Sequence, residues 1–351
     1  MANYYTYRID NHGDDIRPND LQLARTAARA GEITADELRQ AEDEAIIAWV
    51  KAQRHLTLSC LTDGGFRNGD YRSPVLHSVA GFTRDPDRMG PGGFGTWVVD
   101  APLKLKKPIA SDDATFLLEQ TGFPVKVKLP SAAHLAAQCY DEQKTVRAYP
   151  GAAALGDAIA ELLHDEIEHL FEIGVKFVQL DNPDYSAYLV GGGSPLLTFD
   201  EAVSIDQAVV AGLEREEDQK VGLTVGWGDD LDGTVDVDRV QRLFGTDYDK
   251  FTVPFHTEAA VAQDLPRRVP EGKQVGIGIV DATVAELEDI DTVVRRIEDV
   301  VEVHDYDRIG LLPQKGFQQA HYIPAALTIE QQRKKIELVE TLATMIWGNE
   351  A

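Results

Sequence analysis

The 351 residues, 43% of them hydrophobic, suffice for one large α/β barrel or two ordinary domains around a sizeable core. A formal net charge of −25 without a basic stripe argues against nucleic acid as a partner, and the apolar runs are too short to cross a bilayer. Two cysteines far apart in sequence, Cys60 and Cys139, exclude a disulfide framework or a zinc ribbon.

Residues 4–10 read as a first strand. The opening Met1-Ala2-Asn3-Tyr4-Tyr5 lacks the basic and apolar regions of a secretory signal, so a cytoplasmic location is expected. One helix starts near Asp20. Another starts at Thr34, where Thr34 and Glu37 have capping-box spacing and Leu38, Ala41, Ala45 and Trp49 share a face. Residues 56–62 make a second strand that ends in Asp63-Gly64-Gly65.

Residues 66–109 break the rhythm. They are rich in Gly and Pro, with Met89-Gly90-Pro91-Gly92-Gly93 at a tip and a strand over residues 96–99. This reads as a hairpin-like insertion that acts as a lid or as the contact of a homo-oligomer. Strands follow at residues 125–129, 175–181, 221–225, 251–255, 275–280 and 309–312. Between them lie a helix with the face Leu155, Ile159, Leu162, Leu163, Ile167 and Leu170, one from Phe199, and one over residues 284–301. Thr328 and Gln331 cap a final helix. The run from His164 to His169 reads as the solvated face of its helix. Roughly eight strand–helix units predict an α/β fold, a (β/α)8 TIM barrel in a single domain over residues 1–351 with its insertion at about 66–109.

In such a barrel the strand C-termini share one mouth, and that is where chemistry sits. His12, Asp63, Ser131, Asp181, Trp227, Glu258, Asp281 and Lys315 each follow a strand. Asp181 precedes Asn182-Pro183, a turn that aims it into the mouth. Glu258 and Lys315 are a candidate ion pair, and a desolvated Lys315 is a candidate base or Schiff-base nucleophile. Gly191-Gly192-Gly193 fits a flexible lid rather than a dinucleotide fingerprint.

Five ordered motifs resemble one family. They are Asn11-His12-Gly13 with Arg17-Pro18, Thr62-Asp63-Gly64-Gly65-Phe66-Arg67, Lys128-Leu129-Pro130-Ser131, Gln179-Leu180-Asp181-Asn182-Pro183 and Pro313-Gln314-Lys315-Gly316-Phe317. The chain is similar over nearly its whole length to the C-terminal catalytic barrel of cobalamin-independent methionine synthase, especially its short single-domain relatives. The resemblance implies methyl transfer from a methylfolate to the thiol of homocysteine, with zinc held by a His-x-Cys pair, a glutamate and a final cysteine. At those positions this chain has Gly226, Gly228, Glu258 and Lys315, and the glutamate of Asp-Gly-Glu is Gly65. One oxygen ligand does not hold catalytic zinc.

The expectation is therefore an enzyme of this superfamily acting on a small substrate by transfer or lyase-type chemistry, without metal. Asp181, Lys315, Glu258 and His12 are its catalytic candidates. Asp63, Arg17, Ser131, Gln179, Trp227 and Gln314 are its substrate-binding candidates. Lys315 would replace zinc as the partner of Glu258, and the two glycines would leave an open pocket beside Trp227. Zinc and methylfolate are implied by the resemblance alone, with Glu258 the one retained ligand. The alternatives are zinc-dependent alkyl transfer to a thiol, with Cys60 or Cys139 supplying thiolates, and a non-catalytic binding protein.

Overall fold

The computed structural model describes residues 7–90, 93–228, 231 and 233–348. Residues 4–6 of the expected first strand, and Pro91 and Gly92 of the expected tip, lie outside them. Helices α1 (Asn19–Ala30) and α2 (Ala35–His55) open the chain. The Thr34–Glu37 capping box is formed in both directions, which fixes the start of α2. A short helix α3 (Ser73–Ser78) leads into an antiparallel ribbon of β1 (Val79–Met89) and β2 (Gly95–Leu105).

Helix α4 (Ser111–Gln120) precedes an alternation of strand and helix: β3 (Lys126–Pro130), α5 (Ala132–Cys139), α6 (Ala152–Glu172), β4 (Phe177–Asn182), α7 (Tyr185–Leu189), α8 (Phe199–Val210), β5 (Lys220–Val225), α9 (Val237–Phe244), β6 (Lys250–Pro254), α10 (Ala260–Asp264), β7 (Gln274–Val280), α11 (Ile290–Val301), β8 (Ile309–Pro313) and α12 (Ile329–Trp347). The six strands β3 to β8 form one parallel sheet in sequence order. Strands β4 and β6 are buried at every position, as expected of a parallel sheet covered on both faces. No helix among the described residues is long and apolar enough to cross a membrane.

The first two expected strands contract to single bridges, Ile9 with Leu311 and Leu61 with Val125, both parallel. Main-chain hydrogen bonds nonetheless run from Asp10 to Leu311 of β8 (2.9 Å), from Ser59 to Ile9 (2.8 Å), and between Leu61 and both Pro124 and Lys126 (2.9 Å each). Helix α11 starts at Ile290, six residues later than expected, because Asp289 caps it by accepting from the Thr292 amide (2.9 Å). The run from His164 to His169 is not uniformly solvated. Glu166 is buried, and its carboxylate accepts from the amides of Ile109 (3.1 Å), Ala110 and Ser111 (2.8 Å each) at the start of α4.

Candidate active site

Alternation along a strand puts every second residue on one face. On β3 that face carries Lys126 and Lys128, on β4 Phe177, Gln179 and Asp181, and on β6 Lys250. Such charges inside a sheet covered on both sides survive only when paired. Asp10 is fully buried between Lys126 (2.6 Å) and Lys250 (3.0 Å), and both ammonium groups lie over the Phe177 ring. Burial alone would raise the Asp10 carboxyl, but the two lysines hold it well below the usual carboxylate range.

One layer nearer the strand C-termini, Lys128 is clamped between Asp14 and Asp181, the latter at 3.0 Å. The Gln179 amide fixes Asp181 by donating to Oδ1 (3.0 Å) and to Thr224 (2.9 Å). The His12 ring sits with Nδ1 3.7 Å from Asp181 Oδ2, and neither ring nitrogen has a hydrogen-bond partner among the described residues. Burial pushes His12 down to about 3, so the imidazole is neutral. Burial opposes ionisation of Asp181, but the Lys128 ammonium, helped by His12 once it is protonated in acid and by the Gln179 hydrogen bond, outweighs it and brings the carboxyl to about 2. Lys128 is held charged by its two carboxylates against burial.

Asp14 and Lys128 also line a cavity of about 40 Å³, together with Asp63, Gly65, Asn68 and Tyr71. That is room for a few waters or for the reacting end of a small molecule. A Cβ on Gly65 would stand 2.9 Å from Asp14 Oδ1, so the Asp14 carboxylate fills the space a side chain at 65 would need. Burial raises the Asp63 carboxyl, which accepts from the Gly65 amide (2.9 Å). A second, outer cleft of about 460 Å³ is lined by Arg72, Thr96, Gln138, Tyr140, Asp184 and Leu196, a size typical of ligand clefts. The two spaces are linked through side chains. Tyr71 Oη lies 2.7 Å from His134 Nε2, and His134 Nδ1 lies 2.7 Å from Asp184.

Asp181, His12 and Gln179 lie together beside Lys128, and Asp63 lines the inner cavity; several other candidates lie elsewhere. Arg17 is buried and donates to the carbonyls of Gly65 (2.8 Å), Gln318 (3.0 Å) and Asn68 (3.1 Å), so it ties loops together. Ser131 caps α5 by accepting from the His134 amide (3.2 Å). Gln314 joins the Ala282 amide (2.8 Å) to Asp281 (3.1 Å). Trp227 is buried, edge-on to Tyr71 at 5.2 Å, with its indole N–H without a partner among the described residues. The Glu258 side chain is 75% exposed and pairs with Arg296, which corrects the expected couple with Lys315. Lys315 lines a separate cavity of about 120 Å³ with Thr283, Phe317 and Gln318.

The open pocket expected at the two glycines is filled. A Cβ on Gly226 would meet Ser186 at 2.5 Å, one on Gly228 would meet His256 at 2.5 Å, and both backbones have φ near +86° and +87°, the left-handed region that favours glycine. Burial pushes the thiols of Cys60 and Cys139 up, Cys139 to about 12, so neither offers a thiolate at neutral pH. Among the described residues no three His, Cys, Asp or Glu side chains are grouped to hold a metal ion. The positions matching the zinc ligands offer one exposed, paired carboxylate and do not fit zinc.

Lys128, quoted only within a motif, and Asp14, Tyr71, His134 and Asp184 were not among the candidate site residues. The signal for Lys128 was present: Lys126-Val127-Lys128-Leu129 alternates within a strand flanked by helices, so its lysines must face something buried.

The fold has solved counterparts. A B12-independent methionine synthase from Shewanella sp. W3-18-1 in complex with selenomethionine superposes with a TM-score of 0.76 at 17% identity, over 97% of each chain. A putative vitamin-B12 independent methionine synthase from Listeria monocytogenes gives 0.75 at 22%, over 98% of each. In sequence, the uncharacterized Bacillus subtilis protein YxjH is 25% identical over 97% of this chain and 95% of its own length. The methionine synthase of Saccharolobus solfataricus is 21% identical over 87% and 86%. The catalytic-domain model of cobalamin-independent synthase matches residues 146–338, more than half of the chain, and the chain belongs to that family.

Proposed function

We propose that this protein is a small-group transferase of methyl-transfer type, built on a closed (β/α)8 barrel, whose reacting centre is the Asp14–Lys128–Asp181–His12 layer and not a zinc ion. The observation that carries this reading is the Lys128 ammonium clamped between two buried carboxylates, beside an imidazole whose two nitrogens have no hydrogen-bond partner among the described residues. Such a layer is expensive to fold and is retained where chemistry or binding needs it. Barrel closure is supported by the main-chain hydrogen bonds through Ile9, Ser59 and Leu61.

In this reading each group has a defined task. Lys128 is a fixed cation, compensated and so unsuited to Schiff-base chemistry. Asp181 stays ionised and orients a donor on the substrate. Neutral His12 donates or accepts one hydrogen bond without changing charge. Asp63, with its carboxyl raised by burial and facing the cavity, is the group suited to exchange a proton. The inner cavity takes the reacting end of the substrate, and the outer cleft has the volume for a larger group donor.

Metal analysis of the purified protein is the first test. Less than a tenth of an equivalent of zinc is expected, and near-stoichiometric zinc would overturn the metal-free reading. Asp181→Asn should then lower turnover of an identified substrate by about 10²-fold or more while leaving the fold intact. Unchanged turnover would remove this layer from the chemistry.

A further inference from the structure

Tyr71, before α3, His134, in α5, and Asp184, before α7, come from three segments of the chain yet form one hydrogen-bonded series, with both links at 2.7 Å. Its two ends lie in different places. Tyr71 lines the inner cavity beside Lys128 and Asp14, whereas Asp184 lines the outer cleft with a side chain 33% exposed. His134, between them, is buried. The ring of Tyr71 is held edge-on by Trp227 (5.2 Å) and Phe94 (5.3 Å), and the Lys128 ammonium lies 5.9 Å from its centre. Ser131 fixes the first turn of α5, on which His134 sits.

The direction of the series follows from its charged end. The Asp184 carboxylate can only accept, so in the neutral imidazole Nδ1 of His134 carries the hydrogen toward it. Nε2 then accepts, and the Tyr71 hydroxyl donates to it. Hydroxyl, imidazole and carboxylate thus stand in the order that activates a hydroxyl for proton transfer.

We infer that Tyr71, His134 and Asp184 form a proton relay between the inner cavity and water in the outer cleft, serving a substrate that bears an acidic X–H bond such as a thiol or a carbon acid. The substrate proton passes to the Tyr71 oxygen while the X–H electron pair stays on X. The Tyr71 hydroxyl proton passes to His134 Nε2, the proton on Nδ1 passes to Asp184, and Asp184 releases it to water. Tyr71 is the group that meets the substrate, and His134 and Asp184 position it and carry charge. Such a relay would ionise the substrate where a metal in other proteins does so. It rests on the reading of the inner cavity as the substrate site.

The test uses the full chain without any substrate, with water protons as the probe. The hydroxyl proton of Tyr71 and the ring proton of His134 are followed by NMR, with Tyr71→Phe identifying the hydroxyl signal. A relay predicts that Asp184→Asn slows exchange of the Tyr71 hydroxyl with water by about tenfold or more and moves the His134 proton from Nδ1 to Nε2. Asp184→Glu should restore both. Unchanged hydroxyl exchange in Asp184→Asn, or slow exchange that Asp184→Glu fails to restore, would overturn the relay. Because no substrate is present, the result is independent of whether Asp181→Asn or the metal analysis supports the catalytic reading.

Discussion

Asp15 is fully buried, and both of its carboxylate oxygens accept from the Asn11 side-chain amide, at 2.9 and 3.0 Å. Burial raises its carboxyl to about 7, because the two hydrogen bonds replace only part of the lost hydration. The unfolded chain releases the same proton near about 3.9. Between those values the folded state binds more protons than the unfolded one, so stability falls as pH rises through the window and is flat above it. Asp15→Asn removes the titration. Urea midpoints should show the variant gaining on wild type by about 1.4 kcal/mol per pH unit across the window, with no further gain above about pH 7. A pH-independent difference would mean that Asp15 is ionised at the usual place. Asp181 runs the other way. With its carboxyl at about 2 it adds stability that is present above the unfolded value and lost only as pH falls through about 2.

Helix α4 begins on a side chain supplied by another helix. Glu166 of α6 accepts from the amides of residues 109, 110 and 111, which serves both the unpaired donors and the positive end of α4. Glu166→Ala should lower the unfolding free energy by about 1–3 kcal/mol with an unchanged denaturant slope. Glu166→Gln, which keeps the acceptor oxygen but not the charge, should cost less. Equal effects of the two variants would show that only volume matters there. This contact also marks the limit of reading elements from sequence. Glu166 sits in a charged run whose neighbours Asp165 and His169 are exposed, and only tertiary packing separates it from them. Local signals fared better: the capping boxes at Thr34 and Thr328 are both formed, and all six strands of the parallel sheet were legible as short apolar runs. For the candidate site, the strand-end position exposed Asp181, whereas Asp14, from the segment after His12, and Tyr71, on the approach to α3, follow no periodicity that marks them. The Glu258 partner was misjudged because a strand end fixes where the backbone leaves the sheet and not where a long side chain then turns.

At the scale of the whole molecule, 59 acidic residues oppose 34 basic ones, and most of the net charge of −25 sits on the surface because buried acids and buried bases nearly balance. Like charges on a compact surface repel, and the unfolded chain relieves that repulsion by expanding. Salt shortens the screening length from about 10 Å at 0.1 M to about 3 Å at 1 M, which removes most of the penalty from the folded state. It also weakens exposed pairs such as Arg333 with Glu330 and Glu337, but each of these contributes little. The buried Asp10–Lys126–Lys250 and Asp14–Lys128–Asp181 groups lie out of reach of bulk ions and are unaffected. The thermal midpoint should therefore rise with added KCl, by about 2–4 °C for each kcal/mol of repulsion relieved. NaCl at equal ionic strength should act equally if screening is the cause. A flat or falling midpoint would mean that surface ion pairs outweigh the excess negative charge. A rise with KCl alone would point to bound potassium instead of screening.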